Sequence, residues 1–502
     1  MKMYLFGKRA FLSVLLALSV LTGIAQTTFT VGDLNYSVND DGVSVTVTGH
    51  VDGYEAQGEL IIPESVNFEG NDYAVTIIGE EAFYYCYELT GDLIIPNSVI
   101  SIEANAFNGC DGFSGTLTIG SSVVYIGDYA FGFCTSLTGG LTIPDSVTSI
   151  GDYAFFSCRS FTGDLIIPNS VNYIGEGAFL SCRGFDGTLT IGNSVSIIGA
   201  LAFNSCSGLK GILNIPSSVG FLYGRSFGLC AFDGIVVDPE NSMYDSREDC
   251  NALIITSSDE LITGCKNTVI PNTVITIGDD AFKDISGLTS INIPYSVAFI
   301  GERAFAFCSD LVGDLTIPNS VISIGSNAFI ACGNLDGTLT IGESVTYIGD
   351  RAFMYCSGFT EAVSLATVPP TLGDENECEV FNDFGVSVLT VPCNCVEAYQ
   401  NSSWYDPSGT NGFTEFIEDC SAVSEVAPIV SAVYPNPTYG LVKIEAENIK
   451  SVSIFNILGE KVFEGSADGN AFEYDFSHQT AGVYFIKVET AKGVETKKVT
   501  VR

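Results

Sequence analysis

Cysteine is the reactive residue that recurs most regularly in this chain of 502 residues. Ten cysteines hold the same position in ten copies of a repeated sequence pattern. An eleventh copy has Ile285 at that position, which indicates that the position needs a small buried hydrophobic side chain. Neighbouring copies would hold their Cβ vectors parallel, with two equal neighbours for each thiol, so we expect free thiols rather than regular disulfides. Zinc is not expected, because the chain has two histidines and no CxxC pair. The ten cysteines of this column are Cys86, Cys110, Cys134, Cys158, Cys182, Cys206, Cys230, Cys308, Cys332 and Cys356.

Six further cysteines lie outside this column and are candidates for disulfides. An even number of cysteines in non-repeating segments of an exported protein favours pairing. Cys250 and Cys265 flank a hairpin-like insertion, and we predict a bond between them. The remaining four follow the last copy and allow three connectivities, all of which stay open: Cys378, Cys393, Cys395 and Cys420.

Residues for catalysis are few. His50 and His478 stand in different terminal modules, and neither belongs to a metal-binding or triad pattern. Paired carboxylates can cleave glycosides, and 59 acidic residues make chance pairs inevitable. A repeat sheet, however, lacks the deep pocket that such chemistry prefers. The sequence therefore predicts a protein that is not an enzyme and that uses no cofactor and no metal.

The charge balance is strongly acidic, with a formal net charge of −39. Residues 26–433 carry nine basic against fifty acidic side chains. Such a surface repels phosphate backbones, so nucleic acid is not expected as a partner. Two readings stay open: the charge keeps the protein soluble, or it attracts basic patches on other proteins or divalent cations.

Residues 1–25 have the features of a cleaved secretory signal. Lys2, Lys8 and Arg9 precede an apolar run that ends in small residues at Gly23 and Ala25. The run is short for a bilayer span, so we expect no transmembrane segment in the mature protein. We expect export through the inner membrane.

An internal repeat dominates the chain. The copy at 164–185 reads DLIIPNSVNYIGEGAFLSCRGF, in which Leu165, Ile167, Val171 and Ile174 are predicted to face inward. The acidic residue ahead of Ala-Phe is expected to cap a short helix. One copy alone would not offset its chain entropy, whereas stacked copies share buried faces, as in a solenoid. The phenylalanine that marks each copy recurs at Phe83, Phe107, Phe131, Phe155, Phe179, Phe203, Phe227, Phe282, Phe305, Phe329 and Phe353.

Two columns of outward-facing residues on the predicted parallel sheet form the candidate binding face. Threonine is a good strand residue on any wetted face, so the alternative is that these columns only shape the sheet. If this face does not bind, the irregular insertion at about 234–266 is the next candidate. The columns contain Asp92, Thr116, Thr118, Thr142, Asp164, Thr188, Thr190, Asn214, Asn292, Thr316 and Thr340.

The unit L-x-I-P-x-S-V-x-x-I-G-x-x-A-F-x-x-C-x-x-L resembles the BspA-like, or treponemal-type, leucine-rich repeat over about residues 59–372. The resemblance implies a leucine-rich repeat solenoid, mainly β with short helical turns. It also implies a β-hairpin N-terminal cap at 26–58 and a C-terminal capping unit at 373–420. Proteins of this kind act as adhesins, so it further implies recognition of an extracellular protein or glycoprotein on host or other bacterial surfaces. Secreted capture of nutrients or inhibition of host proteins is the alternative.

The last domain follows a small-residue linker at 421–433. Residues 434–502 show short alternating strands typical of a small β-sandwich. They resemble the C-terminal sorting domain of the type IX secretion system of Bacteroidetes, which implies the type IX machinery as a partner and an extracellular or outer-membrane surface location. The matching residues are Tyr434, Pro435, Asn436, Pro437, Gly482, Val483, Tyr484, Lys497 and Lys498.

Overall fold

A computed structural model describes residues 27–373, 379–421, 430–436, 438–457, 459–490 and 493–502. The predicted signal peptide, Cys378, Pro437 and most of the predicted linker lie outside the described residues. The chain divides into two compact units, Met1–Glu418 and Asp419–Arg502. None of the helices in the described ranges is long and apolar enough to cross a bilayer.

The first unit is a solenoid in which each coil buries the predicted residues. In the copy at 164–185, Leu165, Val171 and Ile174 have no exposed surface, and Ile167 has almost none. Ile166, between Leu165 and Ile167, is 55% exposed, as strand alternation requires. The recurring phenylalanines are all buried, and most stack on the ring of the next coil, as Phe155 does on Phe179 at 5.2 Å between centroids. The predicted solenoid is confirmed.

Each regular coil contributes two short parallel strands, which form two ladders along the solenoid. The first ladder uses the L-x-I segment, and the second uses the segment that ends in Ile-Gly. First-ladder strands are Leu93–Ile94, Leu117–Thr118, Leu165–Ile166, Leu189–Thr190, Ile212–Ile215, Gly234–Val237, Leu315–Ile317, Thr338–Ile341, Glu361–Ser364 and Val388–Pro392. Second-ladder strands are Ser101–Ile102, Tyr125–Ile126, Ser149–Ile150, Tyr173–Ile174, Ile197–Ile198, Phe221–Leu222, Thr276–Ile277, Phe299–Ile300, Ser323–Ile324, Tyr347–Ile348 and Thr371–Leu372.

The Ala-Phe segment forms consecutive turns in the described coils, where a capped short helix was predicted. Tyr153 and Ser157 have positive φ values of 57° and 59°, which a right-handed helix does not contain. The amide N–H groups of Tyr153, Phe155 and Ser157 donate to backbone carbonyls of the next coil at 2.7 to 2.8 Å. Bonding to a neighbouring coil replaces the bonding within a helix, whose first turn is costly to form.

The acidic residue ahead of Ala-Phe joins adjacent coils and caps no helix. Asp152 accepts a hydrogen bond at 2.8 Å from the backbone N–H of Glu176, which holds the same position in the next coil. Asp128 does the same for Asp152 at 2.7 Å, and Asp279 for Glu302 at 2.7 Å. We call this series the acidic clamp. The prediction of a helix cap was wrong because the N–H groups that need acceptors belong to the following coil.

Both ends of the solenoid are closed by irregular structure. At the N-terminus, strands Thr28–Val31, Leu34–Val38 and Ser44–His50 pair antiparallel, and the last pairs in parallel with Asn71–Ile78. Strands Gln57–Glu59, Ser65–Phe68 and Glu88–Thr90 and the short 3-10 helix Gly53–Glu55 complete this region. The closing end has helix Val396–Gln400, strand Glu415–Asp419 and the fully buried Trp404, whose indole N–H donates to Pro370 O at 2.7 Å. These elements confirm the predicted hairpin cap and cover apolar coil ends.

The insertion is a joint inside the solenoid. It contains strands Tyr244–Asp245, Leu253–Ile255 and Glu260–Thr263 and the short 3-10 helix Arg247–Asp249. Leu253 and Ile255 pack into the core of the preceding coils, whereas Ile254 and Leu261 pack into the core of the following coils. The hairpin therefore connects the two cores, while Met243, Glu248, Asp249 and residues 256–258 of the insertion are exposed.

The second unit is an antiparallel sheet of five strands. Its strands are Val430–Tyr434, Leu441–Asn456, Lys461–Asp475, Gly482–Thr490 and Gly493–Val501, with a 3-10 turn at Phe476–His478. A bridge between Thr438 and Val501 brings the edges of the sheet together. Its first strand begins at Val430, four residues before the predicted domain start. Of the residues that match the sorting domain, Tyr484 is buried in its core.

Candidate binding face

The outward residues of the first ladder form a continuous column across the coils. We call this column the stripe. Parallel registration pairs Ile94 with Thr118 and Ile166 with both Thr142 and Thr190. In the later coils Thr316, Thr340, Val363 and Thr390 continue the same position. The stripe of the first half is Ile94, Thr118, Thr142, Ile166, Thr190, Asn214 and Val236, which are all exposed and uncharged.

The other predicted column holds the coils together. Asp92 accepts hydrogen bonds from the backbone N–H of Thr116 at 2.6 Å and from its hydroxyl at 2.9 Å. Asp164 accepts the same two bonds from Thr188, at 2.6 and 2.8 Å. These bonds lower the pKa of Asp92 and of Asp164. The predicted face therefore consists of one column whose aspartates bond to the next coil and of the stripe, whose side chains in the first half are exposed.

The hydroxyl groups of the stripe differ from those of the second ladder. Thr118, Thr142 and Thr190 form no side-chain hydrogen bond within the described structure. On the second ladder, by contrast, Thr148 donates to Val124 O at 3.2 Å and Ser196 to Asn172 O at 3.0 Å. An unbonded hydroxyl on an exposed strand is available to a partner as donor and acceptor.

Two shallow depressions lie along the stripe. One of about 310 Å³ lies between the coils of Thr142, Ile166 and Thr190. The other, of about 290 Å³, lies between the coils of Thr190, Asn214 and Val236. Each is lined by outward residues of the first ladder and by the turn that follows. The two depressions are therefore shallow and together extend along the coils from Thr142 to Val236.

Sequence reasoning omitted part of this face. Val236 and Val363 were not named, because the irregular copies around them break the spacing on which the columns were based. Their strand positions become clear only from the parallel pairing with Asn214 and Thr340. Asn292 is exposed but lies outside any strand.

The ten column cysteines all carry free thiols, as predicted, and nine of them are buried while Cys230 is half-buried. Nine of these thiols lie against the carbonyl of the phenylalanine in the preceding coil, as Cys134 does with Phe107 O at 3.1 Å, whereas Cys86 lies against Gly53 O. Burial raises the pKa of Cys134 and of Cys206 to about 12. These thiols are packing residues with little nucleophilic character.

The predicted bond between Cys250 and Cys265 is wrong, since both thiols are free. Cys265 packs with the core before the insertion and Cys250 with the core after it, so the hairpin separates them. Cys395 is also free and lies 3.5 Å from Thr367 O, which excludes every connectivity that pairs it. Cys393 and Cys420 are both disulfide-bonded.

A parallel solenoid whose coils bury leucine, isoleucine, valine and phenylalanine in fixed columns is a leucine-rich repeat protein. The chain belongs to the BspA type leucine rich repeat family, whose model matches six copies over residues 76–210, 139–244 and 261–368. A second model, the secretion system C-terminal sorting domain, matches residues 432–502. The chain is therefore a leucine-rich repeat surface protein with a type IX sorting domain, which implies secretion to the cell surface or the medium.

Solved structures share the fold. A leucine rich cell surface protein from Faecalibacterium prausnitzii A2-165 is 27% identical, with a TM-score of 0.56 over 67% of this chain and 94% of its own. The pneumococcal vaccine antigen PcpA is 17% identical, with a TM-score of 0.53 over 78% of this chain and 99% of its own, and shows likeness of fold alone. The search of curated proteins finds no match.

Proposed function

We propose that the stripe binds an extracellular protein or glycoprotein and that this binding serves adhesion to host or other bacterial surfaces. The observation that carries the proposal is the set of unbonded hydroxyls at Thr118, Thr142 and Thr190, each next to exposed Ile94 or Ile166. Thr142 and Thr190 also line the two depressions. Ile94 and Ile166 are each 55% exposed, and apolar groups interleaved with hydrogen-bonding groups are typical of protein interfaces.

A neutral stripe also suits recognition on a protein of this charge. Residues 26–433 carry fifty acidic side chains, so a partner approaching most other surfaces meets negative charge. The stripe residues themselves carry no charge, and the nearest acidic residues that line the two depressions are Asp145 and Asp238. The stripe positions lie on paired strands of a packed solenoid, so a partner would order few side chains on binding.

We infer no catalytic role. The face offers shallow depressions, and catalysis of glycan or peptide cleavage prefers an enclosed site. Activity screening of the purified protein on glycans and peptides tests this. Capture of nutrients or inhibition of host proteins would use the same surface. Washing cells and measuring how much protein stays bound to them discriminates retained adhesin from released capture protein.

The test of the stripe adds charge where the partner would lie. We expect the triple variant Thr118→Lys, Thr142→Lys, Thr190→Lys to lose retention of partners from host extracellular matrix and mucus in a pull-down with the full chain. A matched control adds three lysines to exposed second-ladder positions, as Val124→Lys, Asn172→Lys, Ser196→Lys. Melting temperatures of both variants should stay close to that of the unmodified chain. Equal retention by the stripe variant and the control would refute the proposal.

A further inference from the structure

The residue that follows the acidic clamp position varies from coil to coil, and arginine occurs there on both sides of the insertion, as Arg225 shows for the first half. The segments GERAF and GDRAF of the later coils place Arg303 and Arg351 there. Two successive coils of the first half read GDYAF and place Tyr129 and Tyr153 at the same position. All four residues have the same positive φ of 53° to 57°, so they occupy equivalent places in the fold.

In the later coils these arginines pair with carboxylates of the acidic clamp and with other acidic residues of neighbouring coils. Arg303 bonds Asp280 at 3.0 Å through Nε and also contacts Glu302 of its own coil. Arg351 bonds Glu379 of the next coil at 2.6 Å and lies 3.8 Å from Asp350 of its own coil. The solenoid itself therefore shows which group fits beside the acidic clamp, namely a guanidinium.

In two successive coils of the first half the same place holds aromatic rings. The rings of Tyr129 and Tyr153 stack with 4.8 Å between centroids and 13° between planes. Tyr153 lies over Gly177, where a Cβ would come within 2.5 Å of the ring, so glycine makes room for it. Phe156 meets Tyr153 at 5.8 Å and Phe133 at 4.7 Å, both edge to face. The four rings form one half-exposed aromatic patch.

Asp152 and Glu176, the carboxylates beside this patch, are bonded to phenols and, in the part of the chain that the structure describes, not to basic side chains. Tyr153 donates its hydroxyl proton to Glu176 at 2.6 Å, and Tyr173 donates to Asp152 at 3.1 Å, but a phenol does not neutralise a carboxylate. Within the described residues, neither Asp152 nor Glu176 belongs to an ion pair. Burial and the negative charges of Glu176, Asp152 and Asp128 raise the pKa of Tyr129, which places all three carboxylates around one ring.

We propose that the aromatic patch, through Tyr129 and Tyr153 and the adjoining carboxylates of Asp152 and Glu176, binds an arginine- or lysine-rich segment of a partner protein. A guanidinium stacks on tyrosine rings and donates to carboxylates, as Arg303 and Arg351 donate inside this chain. A neutral glycan is the less fitting ligand. Its hydroxyls need donors as well as acceptors, whereas the carboxylates only accept and the hydroxyls of Tyr153 and Tyr173 already donate.

The test places an arginine at the site, as the later coils do with Arg303 and Arg351. We use a fluorescent tetra-arginine amide and the full chain, with anisotropy at physiological salt. Tyr153→Arg should fold, because Arg351 occupies the equivalent place, and should weaken peptide binding about tenfold. Tyr129→Asn, which removes one ring without a change of charge, should weaken it about threefold. The matched control is Asn327→Arg, which adds the same charge at the equivalent position of a later coil and should change binding less than about twofold.

Three results would overturn the proposal. If Asn327→Arg weakens binding as much as Tyr153→Arg does, or if the unmodified chain fails to bind at millimolar peptide, the patch is not a cation site. If maltoheptaose binds instead and Tyr153→Arg abolishes that binding, the patch is a glycan site. The stripe variants with added lysines serve as a second control, since they alter the first ladder, whereas the patch lies on the turns of the Ala-Phe segment, and they should leave peptide binding at the patch intact. Failure here is thus distinguishable from failure of the stripe.

Discussion

The stacked phenylalanine column allows a quantitative test of how coils stabilise one another. Phe155 lies between Phe131 and Phe179, each with 5.2 Å between ring centroids and with planes within 12°. Phe282, at the interrupted end of the column, stacks on Phe305 at 4.9 Å, and on its other side the backbone of Gly264 approaches the ring. Both rings are fully buried. They therefore differ chiefly in the number of stacked partners.

Substitution by leucine retains aliphatic packing and removes ring stacking. An aromatic pair contributes about 0.5–1.5 kcal/mol beyond its area burial. Phe155→Leu therefore loses about 1–3 kcal/mol of stacking, and Phe282→Leu about half of that. The difference corresponds to about a two- to twelvefold larger local opening constant for Phe155→Leu.

Hydrogen exchange resolved by coil is the appropriate assay, because a repeat array opens in parts and one global midpoint would mix them. The reporters are peptides that contain the N–H of Phe155, bonded to Ala178 O, and the N–H of Phe282, bonded to Ala304 O. Each variant is compared with the unmodified chain in its own coil. Equal acceleration in the two variants, or a larger one in Phe282→Leu, would show that stacking between coils does not carry this stability.

Two further predictions concern the column thiols and the hydrogen bonds between Asp164 and Thr188. After denaturation without reductant, all ten column thiols should react, and almost none should react in the native protein at pH 8, since burial raises the pKa of Cys134 to about 12; fewer than half reacting after denaturation would contradict this. Hydrogen bonds from Thr188 lower the pKa of Asp164, so its stabilisation is present above the unfolded pKa of about 3.9 and is lost as the pH falls through the lower folded value. The urea concentration at the unfolding midpoint should therefore decrease as the pH is lowered below 4, and it should decrease less in Asp164→Asn. Identical pH profiles would argue against stabilisation by the bonds between Asp164 and Thr188.

Much of the coil interior was predictable from spacing. The alternation of Leu165, Ile166 and Ile167 fixes which side chains enter the core, and the recurrence of Phe155 and Phe179 at the same position predicts that they meet. The free thiols also followed, because Ile285 shows that the position tolerates an apolar side chain.

Predictions that depended on a polar partner fared worse. Asp152 was expected to cap its own segment, yet it accepts from Glu176, 24 residues later. Cys250 and Cys265 are near in sequence, but the hairpin between them sends alternate residues into two different cores. Local spacing carries no information about which donor a side chain meets in the next coil.

Sequence by itself determined the repeat, the buried columns and the outward positions, because apolar burial follows a period that can be read along the chain. Only the tertiary structure decided which outward residues are free. Asp92 and Asp164 accept hydrogen bonds from the following coil, whereas the hydroxyls of Thr118, Thr142 and Thr190 form no hydrogen bond within the described structure. The physical reason is that hydrogen bonding depends on distance and direction between coils, which exist only once the coils have stacked.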